Sequence, residues 1–184
     1  MPGADGAAHP VGSSMSSYEE VARTLPADYR SALTPMETME AVFAVKAYIE
    51  QHLCEELNLK MVQAPLVVTR ESGVNDTLER DGSHTAVEFT CGLGITPPLN
   101  AQVVQAVTKW KRLALAQFGC GVGEGICTDM RAVRKDTFLD HDHSVYVDQW
   151  DWERVVTAAD RNLDFLRPTA TWTSCVSSLG RSGR

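Results

Sequence analysis

The sequence predicts an α+β fold in which helices pack against an antiparallel sheet. A long amphipathic helix begins at Thr34, and short runs rich in Val, Ile, Tyr and Trp follow it. Two of these runs, 126–133 and 143–151, are joined by a short polar loop that turns the chain back on itself, as antiparallel strands require. Helices and strands in this order predict a layered α+β domain.

Length and charge limit the size of the fold and the kind of partner. The chain has 184 residues, of which 43% are hydrophobic, and this suits one domain with its own core. Its net charge of −7 argues against a nucleic-acid backbone or an anionic membrane as the main partner. No apolar run reaches the roughly 18 residues of a membrane span, and the N-terminus does not resemble a secretory signal. We therefore expect a cytoplasmic protein that binds neither nucleic acid nor membrane.

Five cysteines are too irregular to form a framework of disulfides or zinc sites. Their number is odd and no C-x-x-C pair occurs, which indicates reduced thiols in a cytosolic protein. His141 and His143 could bind a metal, but without nearby cysteines an ordinary loop is the commoner explanation. No metal ligand is predicted in this chain.

Both ends of the chain are predicted to lie outside the folded domain. Residues 1–33 are small and weakly patterned, which predicts a flexible extension, although 18–30 could form a short helix. Near the other end a helix is predicted over 152–166, stopped by Pro168. The tail, 168–184, has no usable periodicity and is expected to be irregular. These limits leave 34–167 as the folded domain.

The first firm element is a capped helix. Thr34 is the predicted N-cap, Pro35 occupies the first helical position, and Glu37 closes a capping box. Asn58 is a plausible left-handed stop at the other end. Apolar residues recur every three or four positions between them: Val42, Val45, Ile49, Leu53 and Leu57.

Strands and loops follow this helix. A strand is predicted over 59–68, and because it contains Pro65, which cannot donate to a ladder, it should lie at an edge or against a partner chain. The Gly- and Asn-containing stretch 71–78 is predicted to be a loop, and 86–91 a second strand. Residues 119–125, GCGVGEG, look like a phosphate-binding loop but match neither named glycine-rich pattern.

One lysine interrupts the apolar face of the next helix, predicted over 106–118. Lys111 shares its helical face with Val107, Ala114, Leu115 and Phe118. A lysine in such a stripe can extend its ammonium group to water. The alternative is that the ammonium is held in a pocket and binds a carboxylate.

The stretch 143–156, HSVYVDQWDWERVV, is predicted to be the central strand. Gln149 and Asp151 share one face with Val145 and Val147, at positions where apolar residues are expected. A buried carboxylate needs a basic side chain or a cationic ligand beside it. The alternative is that Asp151 caps a helix that begins at the next residue.

Four segments together resemble the ammonia-dependent asparagine synthetases, the aspartate–ammonia ligase family. They are TKWKR (108–112), GEG (123–125), RAVR (131–134) and HSVYVDQWDWERV (143–155). This family is built like the core of a class II aminoacyl-tRNA synthetase. The resemblance therefore implies a synthetase-like antiparallel sheet flanked by helices, incomplete in this chain because family members continue for about as many residues again.

The resemblance also implies the reaction and the residues of the site. L-Aspartate, ammonia and ATP would give asparagine, AMP and pyrophosphate through β-aspartyl-AMP, with Mg²⁺ as the metal. The ATP-facing arginine falls on Arg134, and the lysine of KWKR, Lys111, would bind the α-carboxylate of aspartate. The α-ammonium group would be bound by Asp76, Gln149 and Asp151.

Two further expectations and two alternatives follow from the resemblance. It implies a homodimer formed through the helix 34–57 and the strand with Pro65. Because the acidic magnesium ligands and a second ATP-binding arginine fall in the family's second half, this chain alone is not expected to form the adenylate. One alternative is therefore a truncated, non-catalytic relative that dimerises with a full-length subunit. A piece of an aspartyl- or asparaginyl-tRNA synthetase is disfavoured by the acidic charge and the lack of an anticodon-binding barrel.

Overall fold

A computed structural model of the chain describes residues 24–78 and 81–179. Most of the predicted N-terminal extension lies outside these residues, and so does the first part of the helix considered over 18–30. Residues 24–30 form turns and irregular backbone rather than helix. The helices are α1 (Pro35–Leu57), α2 (Thr108–Gln117) and α3 (Leu163–Leu179), and the strands are β1 (Leu59–Val62), β2 (Val67–Thr69), β3 (Val87–Cys91), β4 (Leu99–Val103), β5 (Gly125–Val133) and β6 (Tyr146–Arg154). No helix in the described part is long and apolar enough to cross a membrane.

Helix α1 is capped at both ends as predicted. The backbone N–H of Glu37 donates to Thr34 Oγ1 at 3.3 Å, and the Glu37 carboxylate accepts from the Thr34 N–H at 2.8 Å. Asn58 ends the helix in the left-handed region at φ 54°. Only the C-terminal half of the predicted apolar face is covered, because Leu53 and Leu57 are buried and the residues of the first turns are exposed.

The strands form two sheets of three strands each. In the larger, β5 lies between β1 and β6; it runs parallel to β1 and antiparallel to β6, with Thr128 opposite Asp151. In the smaller, β4 lies between β2 and β3, and both pairs are antiparallel. The predicted α+β class is confirmed, but an entirely antiparallel sheet is wrong, because β1 enters the larger sheet in the parallel direction.

The single strand predicted over 59–68 is wrong. The chain leaves the larger sheet after Val62 and enters the smaller one at Val67, and Pro65 lies in the connection between them. Proline has no N–H to give to a ladder, so a break in pairing at this position has a direct physical cause. Both short strands do lie at sheet edges, in agreement with the expectation for a proline-containing segment.

The helix predicted from Trp152 is also wrong. Strand β6 continues through Trp152 to Arg154, opposite Cys127 and Gly125 of β5, and the N–H of Val155 still donates across the ladder. Gly125 permits this close pairing, since a Cβ there would lie 2.3 Å from a carbonyl oxygen of β6. Cross-strand pairing with a nine-residue partner has overridden the helical spacing of the apolar residues.

The last helix starts later and runs further than the sequence predicted. Asn162 caps it, its side-chain oxygen accepting from the N–H of Phe165 at 2.9 Å. The helix then passes through Pro168 and continues to Leu179. The predicted stop at Pro168 is therefore wrong, and so is the prediction of an irregular tail for residues 168–179. The carbonyl of Asp164, which loses its helical donor to the proline, belongs to an exposed residue and is open to water. Residues 180–184 lie outside the described part.

The two faces of the β5–β6 pair are covered by different helices. On one face Ile126 packs with Ala114 and Leu115 of α2. Met130 and Ala132, on the same face, pack with Val104 and Val107, which precede this helix. On the other, Cys127 packs with Leu53 and Leu57 of α1. The predicted alternation along β6 is confirmed, because Gln149 and Asp151 stand opposite residues of the α2 face. The functional candidates therefore share the side of the sheet that carries α2.

Candidate active site

Lys111 is almost completely buried, with 1% of its surface exposed. It lies in α2, one turn from the start of the helix, and its ammonium group forms an ion pair with the Asp151 carboxylate. The same group donates to the carbonyl oxygen of Trp152 at 3.4 Å. The alternative in which this lysine extends its charge into water is therefore wrong, and the ammonium is held at the surface of the sheet.

Asp151 receives its partner from a different element of the chain. It lies in β6, opposite Thr128, whose hydroxyl donates to the Asp151 carbonyl at 3.0 Å and anchors the strand there. No helix begins at Trp152, so the alternative role as a helix cap is wrong. The carboxylate is partly exposed, and this opens one side of the Lys111 ion pair to solvent.

Arg134 and Gln149 form a second couple on the same face. Arg134 directly follows β5, and its terminal NH2 donates to Gln149 Oε1 at 3.4 Å. Its Nε donates to the carbonyl of Gln105 at 3.2 Å, and its backbone N–H to Val145 at 2.8 Å. Among the described residues no carboxylate forms an ion pair with Arg134, so its charge remains available to an anionic ligand.

The two couples lie side by side along β6. Gln149 and Asp151 are two residues apart on one face, which separates them by about 7 Å along an extended strand. A ligand lying across this face would meet Arg134 beside Gln149 and Lys111 beside Asp151. The two cations can bind acidic groups of a ligand, and the carboxylate and the amide oxygen can accept hydrogen bonds from an amine. The arrangement therefore suits a ligand that carries two acidic groups and an amine.

Asp76 occupies a separate position at the start of α2. Its carboxylate accepts from the backbone N–H of Thr108, the first residue of the helix, and its own N–H donates to Ala106 at 3.3 Å. A carboxylate at a helix N-terminus is stabilised by the exposed N–H groups and the helix dipole. Asp76 thus lies about one helical turn from Lys111, but within the described part of the chain it hydrogen-bonds to neither of the two couples.

Sequence reasoning did not identify the residues that fix the loop of Asp76. The Asn75 side chain accepts from the N–H of Gln105 at 2.8 Å and donates to Val103 and to Gln102. Lys109 Nζ donates to the Asn75 carbonyl at 3.1 Å. The one feature of the sequence that points to this role is an asparagine directly before the candidate aspartate. Its hydrogen-bond partners are 27 to 34 residues away, so they are known only from the fold.

The β5–β6 hairpin contains a group of possible metal ligands. Asp140, Asp142 and His143 offer ligand atoms that all lie within 4.8 Å of one another. They are largely satisfied by each other, since Asp140 accepts from the ring and the backbone of His143. These contacts lower the pKa of Asp140 and raise that of His143.

Among the described residues, the carboxylates nearest Arg134 are poorly suited to hold Mg²⁺. Mg²⁺ prefers several oxygen ligands in octahedral geometry. Of the nearby carboxylates in the described part, that of Asp151 is paired with Lys111 and that of Asp136 accepts from Thr85 and Lys135. These two carboxylates are therefore already occupied by protein partners rather than directed at a metal.

Comparison with known proteins places these residues in a family. The profile of the aspartate-ammonia ligase family, AsnA, matches residues 36–176. An aspartate–ammonia ligase of Clostridium perfringens is 43% identical over 145 residues, and one of Lactobacillus johnsonii is 39% identical over the same length. One of Bacillus mycoides is 42% identical over 141 residues. The alignments cover 77–79% of this chain but 42% of each relative, so the chain spans less than half the length of these curated relatives.

Proposed function

The chain belongs to the aspartate–ammonia ligase family, and from this we propose that it serves the amidation of L-aspartate in asparagine biosynthesis. In the proposed reaction ATP and ammonia convert aspartate to asparagine, with AMP and pyrophosphate as the other products. The observation that carries the proposal is the pairing of Lys111 with Asp151 beside Arg134 and Gln149 on one face of β6. The relatives compared are themselves named as ligases, so the non-catalytic alternative gains no support from them.

Lys111 is the proposed ligand of the α-carboxylate. Its ammonium group has three N–H donors, and Asp151 and the Trp152 carbonyl use two of them in the described structure. The third is free to donate to a substrate carboxylate. Because the group is buried, this bond would be stronger than the same contact in water.

The α-ammonium group of aspartate requires acceptors. Asp151 is partly exposed and carries a second carboxylate oxygen, and the exposed side chain of Gln149 offers an amide oxygen. Asp76, at the start of α2, is the third proposed acceptor, and reaching the substrate would require it to share its bond to the Thr108 N–H. This arrangement directs the β-carboxylate along the strand towards Arg134.

Arg134 is the proposed group that faces ATP. An oxygen of the β-carboxylate attacks the α-phosphorus, the bond to the β-phosphate breaks, and pyrophosphate leaves. The nitrogen of ammonia then attacks the β-carbonyl carbon, AMP leaves with the bonding electron pair, and a proton is lost to give the amide. The guanidinium group stabilises negative charge that develops on the phosphate, while the remaining residues hold the reactants in position.

We further propose a cytoplasmic homodimer with a synthetase-like architecture. The first turns of α1 expose Met36, Met39, Val42 and Phe43, a larger apolar surface than a helix on a solvated monomer usually presents. The neighbouring strand β1 lies at the edge of its sheet. Pairing of two copies through α1 and the following segment with Pro65 would cover this surface.

Aspartate binding gives the first test of the proposal. Titration of the chain with L-aspartate should show binding that Lys111→Met weakens by about 10- to 100-fold, the value of a charge-assisted hydrogen bond. Arg112→Met is the matched control, because Arg112 is the next residue of α2 and is exposed. Failure of the unmodified chain to bind L-aspartate, or equal binding by Lys111→Met, would contradict the proposed substrate site.

Turnover gives the second test. In the presence of magnesium, and with the family's second half supplied, release of pyrophosphate from ATP should require aspartate, whereas the chain alone should release none. Arg134→Ala should lower the restored rate by about a hundredfold. Arg131→Ala is the control, since Arg131 is exposed on the same strand and points to the α1 face. Release that does not depend on aspartate would argue for a different reaction.

A further inference from the structure

Arg134 is part of a closed circuit of hydrogen bonds that the proposed reaction does not use. Its Nε donates to the Gln105 carbonyl at 3.2 Å, and Gln105 Nε2 donates to the Thr85 carbonyl at 3.0 Å. The backbone N–H and the hydroxyl of Thr85 both donate to Asp136 Oδ2, at 2.8 and 2.9 Å. Asp136 is two residues from Arg134, so the chain itself completes the circuit.

The circuit joins three segments that are distant in sequence. Thr85 lies two residues before β3, and Gln105 lies between β4 and α2. Arg134 and Asp136 are at the start of the loop after β5. Gln105 is 3% exposed, so its bonds are shielded from competing water. Apart from the bonds of Arg134 and Asp136, the loop after β5 makes its hydrogen bonds mostly within itself.

The circuit supplies one of the acceptors of the Arg134 guanidinium group. In the described part its guanidinium group has two acceptors, both neutral: the Gln105 carbonyl and the Gln149 amide oxygen. A carboxylate partner would fix the group more firmly but would also compete with an anionic ligand. Holding Nε through a backbone carbonyl leaves the charge available and still restricts the side chain.

The Asp136 carboxylate is ionised near neutral pH and can hold the loop in place through its hydrogen bonds. The hydrogen bond from the Thr85 backbone, followed by contacts with Lys135 and the Thr85 hydroxyl, lowers the pKa of Asp136 to about 2. The carboxylate therefore stays ionised and accepts both bonds from Thr85. Its partner Lys135 is its neighbour in sequence and does not connect it to another segment.

We propose that Asp136 and Thr85 form a latch that positions Arg134 through Gln105. Both are positioning residues, since neither is placed against the substrate. The orientation of Arg134 by the latch is independent of the reaction, whereas its effect on ATP rests on the proposed function. If the latch opens, the loop after β5 loses its bond to Thr85 and Arg134 gains rotational freedom.

Solvent exchange of the Arg134 Nε–H tests the latch without any ligand. In NMR spectra of the arginine-labelled chain, with Arg134→Lys used to assign the signal, Asp136→Ala should accelerate this exchange by about tenfold or more, because two bonds to an ionised acceptor are lost. Asp140→Ala is the matched control, since Asp140 is in the same loop and its hydrogen bonds stay within that loop. Equal exchange in Asp136→Ala and the unmodified chain would overturn the proposal, as would an equal acceleration in Asp140→Ala.

Milder variants keep the test decisive if Asp136→Ala does not fold. Asp136→Asn retains an oxygen acceptor without the charge and should accelerate exchange less than the alanine variant. Thr85→Ala removes only the hydroxyl bond and should accelerate exchange by an intermediate amount. Thr85→Ser keeps the hydroxyl and should exchange at the rate of the unmodified chain. No change in exchange for any of these variants would show that Arg134 is held independently of the latch.

Kinetics separate the latch from the proposed function. With the family's second half supplied, Asp136→Ala should lower the kcat of aspartate-dependent pyrophosphate release and raise the KM for ATP by about tenfold. The KM for aspartate should be unchanged because Lys111 and Asp151 are untouched. If the unmodified chain releases no pyrophosphate even with the family's second half supplied, the proposed function fails while the exchange experiment still decides the latch. Faster exchange with unchanged kinetics would overturn the claim that the latch serves the reaction.

Discussion

The ion pair between Lys111 and Asp151 is buried at one end and open at the other. The Lys111 side chain is 2% exposed, whereas that of Asp151 is 28% exposed. An ion in the interior loses most of its hydration, but a partly exposed carboxylate retains much of it. The two partners therefore do not depend equally on each other.

This difference predicts unequal effects of neutralising each partner. Asp151→Asn leaves a buried ammonium without a counter-charge and should lower the free energy of unfolding by about 3 kcal/mol, the lower end for a broken buried pair. Lys111→Met leaves a carboxylate that water can reach and replaces the lysine by an apolar side chain of similar length, so the loss should be smaller. Urea unfolding monitored by far-UV circular dichroism measures both values.

A third variant controls for the pair itself. In Lys111→Met/Asp151→Asn no buried charge remains, and stability should recover to near that of Lys111→Met. A double variant as unstable as the two single losses added together would show that the residues act independently.

The sequence predicted those features that depend on neighbouring residues. Thr34 and Glu37 form the expected capping box because both partners lie within one turn of helix. Lys111 and Asp151 were recognised as charges at apolar positions, but their direct contact could not be derived from the residues alone. The contact depends on the packing of α2 against β6, which brings together two residues that are 40 positions apart in the chain.

The helix predicted from Trp152 failed for a long-range reason, whereas the stop predicted at Pro168 failed for a local one. Helical spacing after Trp152 was a real pattern, but β5 offers a partner for every residue up to Arg154, and pairing with it prevailed. The stop expected at Pro168 failed because an exposed carbonyl can accept from water where the proline cannot donate. The latch was missed because Thr85 and Asp136 are 51 residues apart.

Cys127 should be the least reactive of the described thiols. Burial, together with the nearby Cys54, raises the pKa of Cys127 to about 12. The thiolate is the reactive form, so at pH 8 iodoacetamide should modify the exposed Cys91 well before Cys127. Mass spectrometry of timed samples measures the order. Rapid modification of Cys127 in the folded protein would contradict its placement.

The same thiol should contribute to loss of stability at high pH. Its pKa is higher in the folded state, so above the unfolded value near 8.5 the unfolded chain has lost a proton that the folded chain retains. Stability from this group is therefore complete below about pH 8.5 and is lost as the pH rises towards 12. Cys127→Ala should show a shallower decline in the free energy of unfolding between pH 9 and pH 11. An unchanged slope would exclude a contribution from this group.

The exposed face of α1 predicts self-association. Phe43→Glu places a charge at the centre of this face and should shift the protein from dimer to monomer, without loss of helix, because Phe43 makes no part of the monomer core. Sedimentation velocity over a range of concentrations measures the change. Leu163→Glu, an exposed substitution at the start of α3, is the control and should leave the dimer intact. A monomeric unmodified chain would contradict the proposed α1 interface.

Lys46 joins α1 to both β5 and β6. Its ammonium donates to Asp129 of β5 at 2.7 Å and to Asp148 of β6 at 2.8 Å. The two carboxylates belong to adjacent strands and share the α1 face, so without the lysine they would repel each other. Burial alone would raise the pKa of Asp129, but the hydrogen bond from Lys46 and further contacts outweigh it, and the pKa is lowered overall.

This arrangement gives a definite sign for stability in acid. With a lower pKa in the folded state, Asp129 stabilises the fold at pH values above its unfolded pKa near 4 and loses that contribution as the pH falls through the folded value. Lys46→Met removes the group that lowers this pKa, so the protein should be less stable at pH 7 and should unfold in acid at a higher pH. Circular dichroism between pH 2 and pH 7 measures the midpoint, and Lys60→Met, at an exposed position of β1, is the control. A midpoint that Lys46→Met leaves unchanged would mean that the two carboxylates do not depend on this lysine for their stability in acid.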